Sequence, residues 1–516
     1  MLARLHSHAV QGMDAYPVEV ETDLGWGLPA FTIVGLPDAS VREAKERVRA
    51  GIANSEYEFP LRRITVNLAP AHVRKEGPLF DLPIAVSLLA ASAQFASGML
   101  EEYSAVGELS LDGSVRGVRG VLAIAEGARR AGRRGLLVPA ANAAEAALVG
   151  GIEIIGVSSL RQAVAFFSGE EALAPAKVDG RSLLGTAGAG QLDLADVRGQ
   201  ELARRALEVC AAGGHNMLMI GPPGSGKTML ARRLPSILPV LGMEEAIEVT
   251  RVYSVAGLLG GGRPVVASRP FRAPHHTISH IGLAGGGASP RPGEVSLAHL
   301  GVLFLDELPE FSRLALETLR QPLEDGMISV SRALTSVTFP ARFMLVAAMN
   351  PCPCGHLGDA RRECVCPPQK IDAYRGRISG PLLDRIDVVV EVRGLTRQEL
   401  TGADSREDSA SVAARVAAAR QRQRRRFAGA AGGDDCFCNA QMPAGMTERL
   451  CRPDAAAVQL LEQAIDRLAL SARAHHRILR VARTIADLDG AEVIGAAHLA
   501  EAIGYRGIDR QAWHGS

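Results

Sequence analysis

Eight residues, GPPGSGKT at 221–228, carry the types and spacing needed to grip a nucleotide phosphate. The stretch Gly221, Pro222, Pro223, Gly224, Ser225, Gly226, Lys227, Thr228 follows a short apolar run, HNMLMIG, and opens a helical pattern, TMLARRLPSIL. That is the context a phosphate loop requires. The glycines let the backbone wrap closely around phosphate oxygens with its amides turned inward. Lys227 offers its charge to the outer phosphates, and the Thr228 hydroxyl can hold Mg²⁺. The bland alternative is a glycine-rich turn without function, and the strand-loop-helix context argues against it. The loop does not disclose what the energy is for.

Two further apolar runs end in polar groups that fit the same chemistry. GVLFLDE (301–307) ends in Asp306 and Glu307, and RFMLVAAMN (342–350) ends in Asn350. Carboxylates at the carboxyl end of a strand lie near the phosphate loop in open parallel sheets. Asp306 would hold Mg²⁺ through water, Glu307 would polarise the attacking water, and Asn350 would orient it from the neighbouring strand. ATP and Mg²⁺ are therefore the expected cofactors.

A second constellation begins two residues after Asn350. PCPCGHLGDARRECVCPP places Cys352-x-Cys354, then nine residues, then Cys364-x-Cys366. Four thiolates in one short loop suit tetrahedral Zn²⁺, although structural pairs are usually separated by two to four residues. His356 offers another ligand, and a turn-rich loop of reduced cysteines is the alternative. A metal here could stiffen the loop that carries Asn350. Cys436, Cys438 and Cys451 look unpaired and carry no signal.

The elements that must position these groups fall into three units. At 516 residues the chain is too long for one core. Residues 1–168 alternate strands (VEVETDL, FTIVGLP, RRITVNLAP), helices (ASVREAKERVRAGIANS, VLAIAEGARRAG) and a hairpin, AVGELSLDGSV, as an α+β or α/β unit would. Residues 169–190 are rich in Pro, Gly and Ala and read as a linker. Residues 191–395 repeat strand, loop and helix, which predicts a parallel α/β sheet covered on both faces. Residues 396–516 hold amphipathic helices and no strand-like run.

The formal net charge is +1, so no global basic field exists and any nucleic-acid surface must be local. The opening MLARLHSHAVQGMD lacks a long apolar core of a signal peptide. The apolar stretch 82–96 includes Pro83, Ser87, Ser92 and Gln94 and is short for a bilayer span. A cytoplasmic location with no membrane partner is expected, and there the eight cysteines should be reduced.

The order of loop, acid pair and Asn resembles AAA+ ATPases across roughly 193–500. In that family an arginine reaches the neighbouring subunit's γ-phosphate, and SGPLLDRIDVVVEV (379–392) is similar to the box that carries it, with Arg385 at the matching place. A second arginine comes from the helical lid, and LALSARAHHRILRVARTIADL makes Arg473 the candidate. An arginine acting in trans implies a ring, most often a homo-hexamer. MISVSRALTSVTF (327–339) alternates like a β-hairpin with its turn near Arg332 and Ala333. Such hairpin insertions mark the branch that includes magnesium chelatase ATPase subunits and replicative helicases. A pore contact with DNA and a solvated turn remain equal readings of Arg332.

FRAPHHTIS, PGEVSLAHLGVLFLDELPEF, LRQPLEDG, NPCPCG and SGPLLDRID go further. They resemble the bacterial YifB/ComM family of magnesium-chelatase-like AAA+ ATPases, almost end to end. The resemblance implies a hexameric ATPase acting on single-stranded or branched DNA, a helicase promoting branch migration in natural transformation, with recombination proteins as partners. The alternative is a protein-remodelling or metal-chelatase-type motor subunit without a DNA substrate.

GPLFDLPIAVSLLAA and GELSLDGSVRGVRGVLAIAEGARRAG resemble the proteolytic domain of Lon, whose fold is that of ribosomal S5 domain 2 and whose chemistry needs a Ser–Lys pair. Leu79 stands at the nucleophile's place and the lysine's place falls near Leu122. No Ser lies in 77–86 and no Lys in 104–140, so peptidase activity is not expected. The unit reads as an assembly or DNA-binding module, with Arg62, Arg63, Arg74 and Lys75 as candidate DNA contacts or a solvated face. RQRQRRRF (420–427) and the arginines Arg477, Arg480 and Arg483 beside Thr484 are basic helical faces. Phosphate-backbone binding and plain solvation are both open for the run 420–427, whereas one part of the Arg477 face is expected to meet nucleotide and the rest solvent.

Overall fold

Alternation of apolar and polar residues builds the first sheet. In Asp14–Gly25 the residues Val18, Val20, Thr22 and Leu24 are buried while Asp14, Pro17 and Asp23 face solvent, the period of a half-covered strand. The computed structural model describes residues 2–96, 98–184, 192–259, 263–287, 290–331, 336–359, 362–395, 399, 407–430, 436–468 and 471–513. Seven strands order as Ala30–Val34, Arg63–Ala69, Asp14–Gly25, Leu2–Gln11, Tyr103–Ala105, Gly135–Pro139, Glu153–Val157. Asp14–Gly25 pairs antiparallel with both its neighbours, whereas Tyr103–Ala105, Gly135–Pro139 and Glu153–Val157 run parallel. The opening segment Leu2–Gln11, in which no strand is predicted from sequence, is thus a central one.

The apolar stretch 82–96 forms the helix Asp81–Ala91, with every residue buried except Ala90. It packs on Leu2–Gln11 and Asp14–Gly25 and against the helix Ala39–Asn54. Its first residue is a buried carboxylate: Asp81 accepts from Arg47 Nε at 2.6 Å and Nη2 at 3.0 Å. Burial pushes Asp81 up to about 6 in spite of that arginine. Leu79 and Leu122, at the places a protease would give to its nucleophile and lysine, are buried apolar side chains.

Lys75 corrects an expectation. Its side chain is fully buried and the ammonium donates to the Pro70 carbonyl, so it offers nothing to DNA. Two backbone hydrogen bonds, Lys75 N to Leu36 O and Asp38 N to Lys75 O, draw the residue inward. Arg62 and Arg63 are exposed, with Arg62 4.8 Å over the Trp26 ring, and Arg74 pairs with Glu76.

The second sheet has five strands, ordered Phe271–Arg272, Val302–Leu305, Met344–Met349, Met217–Ile220, Val388–Glu391, and each neighbouring pair is parallel. Its strands are near-continuous apolar runs because both faces are covered. Met217 and Met219 join one core cluster with the carboxy-terminal helices, while Leu218 and Ile220 join another on the opposite face. The hairpin forms as Met327–Ser331 against Ser336–Pro340, and its tip, with Arg332 and Ala333, lies outside the described residues. The carboxy-terminal part is helical: Ser409–Ala428, Ala444–Leu450, Ala455–Leu468, Ala472–Leu488 and Ala496–Trp513.

The stretch read as a linker is partly packed. Leu173 and Ala176 rest on the first core, and Gly180–Leu184 is a short helix. The two units also touch directly. Leu122 and Leu148 share a small core with Leu241, Ala246 and Val249, and Arg251 pairs with Glu126 at 2.8 Å. Beside them Glu145 accepts from the Ser254 hydroxyl and from Leu122 N. Burial raises its pKa.

Because Leu122 is buried in this shared core, Leu122→Ala should cost about 2–5 kcal/mol. We expect a lower urea midpoint and faster proteolysis between the units. An unchanged midpoint and digestion pattern would mean that the contact does not hold them together.

Candidate nucleotide site

The phosphate loop leaves the central strand Met217–Ile220 and enters the helix Lys227–Arg233. Gly226 makes the turn at φ +94°, a conformation that side chains rarely adopt, and space for a Cβ alone would not permit a substitution there. The Lys227 ammonium folds over the loop, donating to Gly221 O at 2.8 Å, Pro222 O at 2.9 Å and Asn350 Oδ1 at 3.1 Å. Burial lowers its pKa to about 8, against the opposing pull of Asp306 and Glu307.

The acid pair meets the loop across the sheet. Thr228 Oγ1 donates to Asp306 Oδ2 at 2.6 Å, so the hydroxyl and carboxylate suited to a divalent cation already touch. A hard cation takes oxygen ligands of this kind. Glu307 follows with a left-handed backbone, φ 54°, and its side chain is half exposed. Asn350 ends the strand that lies between the loop strand and the acid strand. Thr228, Asp306 and Glu307 line a cavity of about 340 Å³ together with Arg232, His275 and His276. This arrangement can cradle phosphates, hold a divalent cation and polarise a water.

Two residues near this site were not singled out from sequence. His276 Nδ1 lies 3.2 Å from Glu307 Oε2, and its ring lies against His275, tilted by 33° with centroids 4.1 Å apart. The signal was present in FRAPHHTIS, which leaves the edge strand beside the acid strand. Gln200 donates to Ser225 O at 3.2 Å and to Arg393 O at 2.6 Å, tying the loop to the segment after the last strand. Its place just before the helix Glu201–Gly213 gave no chemical hint.

Arg385 and Arg473 are not brought to this loop. Asn216, at the start of the loop strand, donates to Arg385 O at 2.9 Å. The phosphate loop begins at the other end, about 13 Å away at the usual rise per residue. Both guanidiniums converge on Glu324, Arg385 through Nη2 and Arg473 at 3.4 Å. They line a cavity of about 610 Å³ shared with Arg420, Arg477 and Arg480. Most of the arginines on the basic helical faces bond within the protein, so neither reading left open for those faces describes them. Arg483 is buried and donates to Glu492 O at 2.6 Å, Arg480 donates to Ala440 O at 2.6 Å, and Thr484 bonds His215 at 2.8 Å. In the run 420–427, Arg420, Arg422 and Arg426 bond Phe437 O, Asp487 O and the Asp487 carboxylate, while Arg422, Arg424 and Arg425 are exposed.

The four cysteines do come together. Cys352 is buried, and all four sulfurs lie within 4.8 Å of one another. His356 turns instead to Asp359, 3.2 Å from its carboxylate.

The description "Magnesium chelatase, subunit ChlI" matches residues 193–400, "Subunit ChlI of Mg-chelatase" matches 20–142, and "Magnesium chelatase, subunit ChlI C-terminal" matches 406–506. The chain is 46% identical over 518 residues to uncharacterized protein YifB of Salmonella typhimurium, covering 99% of this chain and 98% of that one. It is 46% identical over 512 residues to competence protein ComM of Haemophilus influenzae, with the same coverage of both. It is 26% identical over 317 residues to the magnesium-chelatase 38 kDa subunit of Cereibacter sphaeroides, covering 58% of this chain and 86% of that subunit. The chain belongs to the YifB/ComM family of magnesium-chelatase-like AAA+ ATPases. No helix among the described residues is long and apolar enough to cross a membrane.

Nucleotide binding should follow the Lys227 charge. The ammonium is protonated below pH about 8 and loses its charge as pH rises through that value. ATP phosphates need the charged form, so Kd for ATP should rise above pH 8 toward a limit of about tenfold per unit. Titration of a fluorescent ATP analogue between pH 7 and 9.5 checks this, and Lys227→Ala should bind weakly with a flat profile.

Proposed function

We propose that this ATPase is a DNA-translocating motor, a homo-hexameric helicase that promotes branch migration of recombination intermediates in natural transformation. The observation that carries the reading is the end-to-end similarity, 46% over 512 residues, to a protein named for competence. The geometry supports the motor chemistry. In this reading Gly221 to Thr228 hold the ATP phosphates, and Lys227 neutralises charge on the outer ones. Thr228 and Asp306 hold Mg²⁺, which would supply charge neutralisation at the phosphates. Glu307 polarises the attacking water and Asn350 orients it.

Arg385 and Arg473 complete the site from the neighbouring subunit. The place of Arg385 at the far end of the sheet supports this, because it sits about 13 Å of strand away from its own phosphate loop, and Arg473 shares Glu324 with it. A heterologous interface of that kind closes into a ring when the rotation permits. The DNA substrate is single-stranded or branched, recombination proteins are the expected partners, and the protein works in the cytoplasm. The amino-terminal unit serves assembly or DNA contact, with Arg62, Arg63 and Arg74 as its basic residues.

A second reading is a protein-remodelling or metal-chelatase-type motor without DNA. It draws its support from the 26% identity to a magnesium-chelatase subunit.

ATP hydrolysis by the purified protein should rise several-fold when a four-way or three-stranded DNA junction is added. Lys227→Ala and Glu307→Gln should abolish hydrolysis with and without DNA. Hydrolysis indifferent to every DNA tested would turn the search to protein or tetrapyrrole substrates.

Sharing of the site has its own test. Arg385→Ala should bind ATP and fail to hydrolyse it. Mixing that variant with Lys227→Ala at equal amounts should restore up to about a quarter of wild-type hydrolysis, since that share of random interfaces carries both intact residues. No recovery from a mixture verified to have exchanged subunits would place Arg385 outside the reaction.

A further inference from the structure

The loop between Asn350 and the helix Pro368–Arg375 carries more chemistry than the nucleotide reading uses. Cys352 Sγ lies 3.4 Å from Cys354 Sγ and 3.6 Å from Cys364 Sγ, and Cys354 Sγ lies 3.6 Å from Cys364 Sγ. A zinc ion with four thiolates at about 2.3 Å sets neighbouring sulfurs about 3.8 Å apart, the edge of its tetrahedron. The three measured separations approach that edge. Two backbone amides also point at sulfur: Cys354 N toward Cys366 Sγ at 3.4 Å and Cys366 N toward Cys364 Sγ at 3.5 Å. Such donors favour the thiolate, the form that binds metal. The single-residue spacing within each pair does not prevent convergence, because the segments holding the two pairs face each other.

The cluster touches the nucleotide loop. Gly355, at φ +83°, lies so close to Pro223 that a Cβ there would come within 2.5 Å of Pro223 Cδ and 3.8 Å of Asn350 Cγ. Pro351, between Asn350 and Cys352, accepts from Arg375 Nε and Nη2, both at 3.2 Å. The cysteine loop is therefore packed on the phosphate loop at one end and pinned to the next helix at the other.

We propose that Cys352, Cys354, Cys364 and Cys366 bind one Zn²⁺, and that this metal holds Gly355 against Pro223 so that the phosphate loop and Asn350 keep their hydrolytic arrangement. The zinc is structural. Four thiolates close its coordination and leave no position for water, and soft sulfur ligands select it over Mg²⁺. The loop is short and shows no apolar core of its own among the described residues, so the metal supplies the cross-link that side-chain packing there does not.

Metal content, read without nucleotide or DNA, tests the site independently of what the motor acts on. The purified protein should contain about one zinc per chain, released in step with four thiols on titration with an organomercurial. Cys364→Ser and Cys366→Ser should each lose most of the zinc. Four free thiols in zinc-free protein, or iron in place of zinc, would overturn the metal assignment. The coupling is read separately with Gly355→Ala, which keeps all four cysteines. It should retain zinc and fold, by circular dichroism, yet hydrolyse ATP about tenfold or more slowly. Wild-type hydrolysis by zinc-loaded Gly355→Ala, or by folded zinc-free Cys364→Ser, would overturn the coupling.

Discussion

The site depends on the register of three buried parallel strands. Ile220 is level with Met349, and Leu305 is level with Ala347. The phosphate loop, the acid pair and Asn350 therefore leave the sheet within about two residues of one another. Side chains alternate between faces along each strand, so a slip of one residue would turn the apolar set over and scatter the polar ends. Met, Leu, Val and Ala fill both faces of these strands, which fixes the register by burial on two sides. Packing that seems remote from chemistry thus sets the 2.6 Å contact between Thr228 and Asp306 and the 3.1 Å contact between Lys227 and Asn350.

The same strands separate two kinds of charge. Their carboxyl ends gather Asp306, Glu307 and His276 around the smaller cavity, with Lys227 on the adjoining loop bonded to Asn350. Their amino ends gather the arginines of the larger cavity, with Glu324 between Arg385 and Arg473. One carboxylate cannot neutralise two guanidiniums, and Arg385 Nε is buried without a partner among the described residues. A surplus of arginine charge at that end suits an anion brought by another molecule, and the proposed ring brings one as a neighbour's nucleotide. Glu324 then keeps the two guanidiniums oriented while that partner is absent.

Local patterns made much of this legible. The phosphate loop, the strand ends at Asp306 and Asn350 and the four cysteines are continuous words in the sequence, because each combines a fixed backbone shape with chemistry that few residue types can do. Strand order was legible only through family resemblance, since nothing in GVLFLDE says that RFMLVAAMN will pair beside it. Leu2–Gln11 was missed because His6, Ser7 and His8 interrupt its apolar alternation, yet Ser7 and His8 are buried. Ser7 manages this by donating to Ala105 O at 2.9 Å, a partner nearly a hundred residues away. Lys75 and Arg483 were misread for a related reason. A charged side chain looks solvated unless its acceptors are known. Pro70 O and Glu492 O belong to no local pattern, and the i,i+4 spacing of Arg483 and Asp487 does not by itself say that the pair is buried.

Those buried charges also explain how the helical lid keeps its angle to the sheet. Asp487, fully buried, accepts from Arg426, Arg483 and Asn439 Nδ2, which ties the helices Ser409–Ala428 and Ala472–Leu488 together. Asp387, at the end of the sheet, accepts from Asn216 N at 3.0 Å and lies 3.8 Å from His215 and 3.7 Å from Arg477 of the lid. Desolvation makes such networks poor sources of net stability compared with apolar packing. They are exacting about geometry, because each charge loses several hydrogen bonds if the helix rotates. Apolar packing of Ile478, Leu479, Val481 and Ile485 in the core shared with the sheet seats the lid, and the charged contacts add direction to that packing. Together they hold Arg473 and Arg477 in one relation to Arg385, and that relation is what a shared nucleotide site would need.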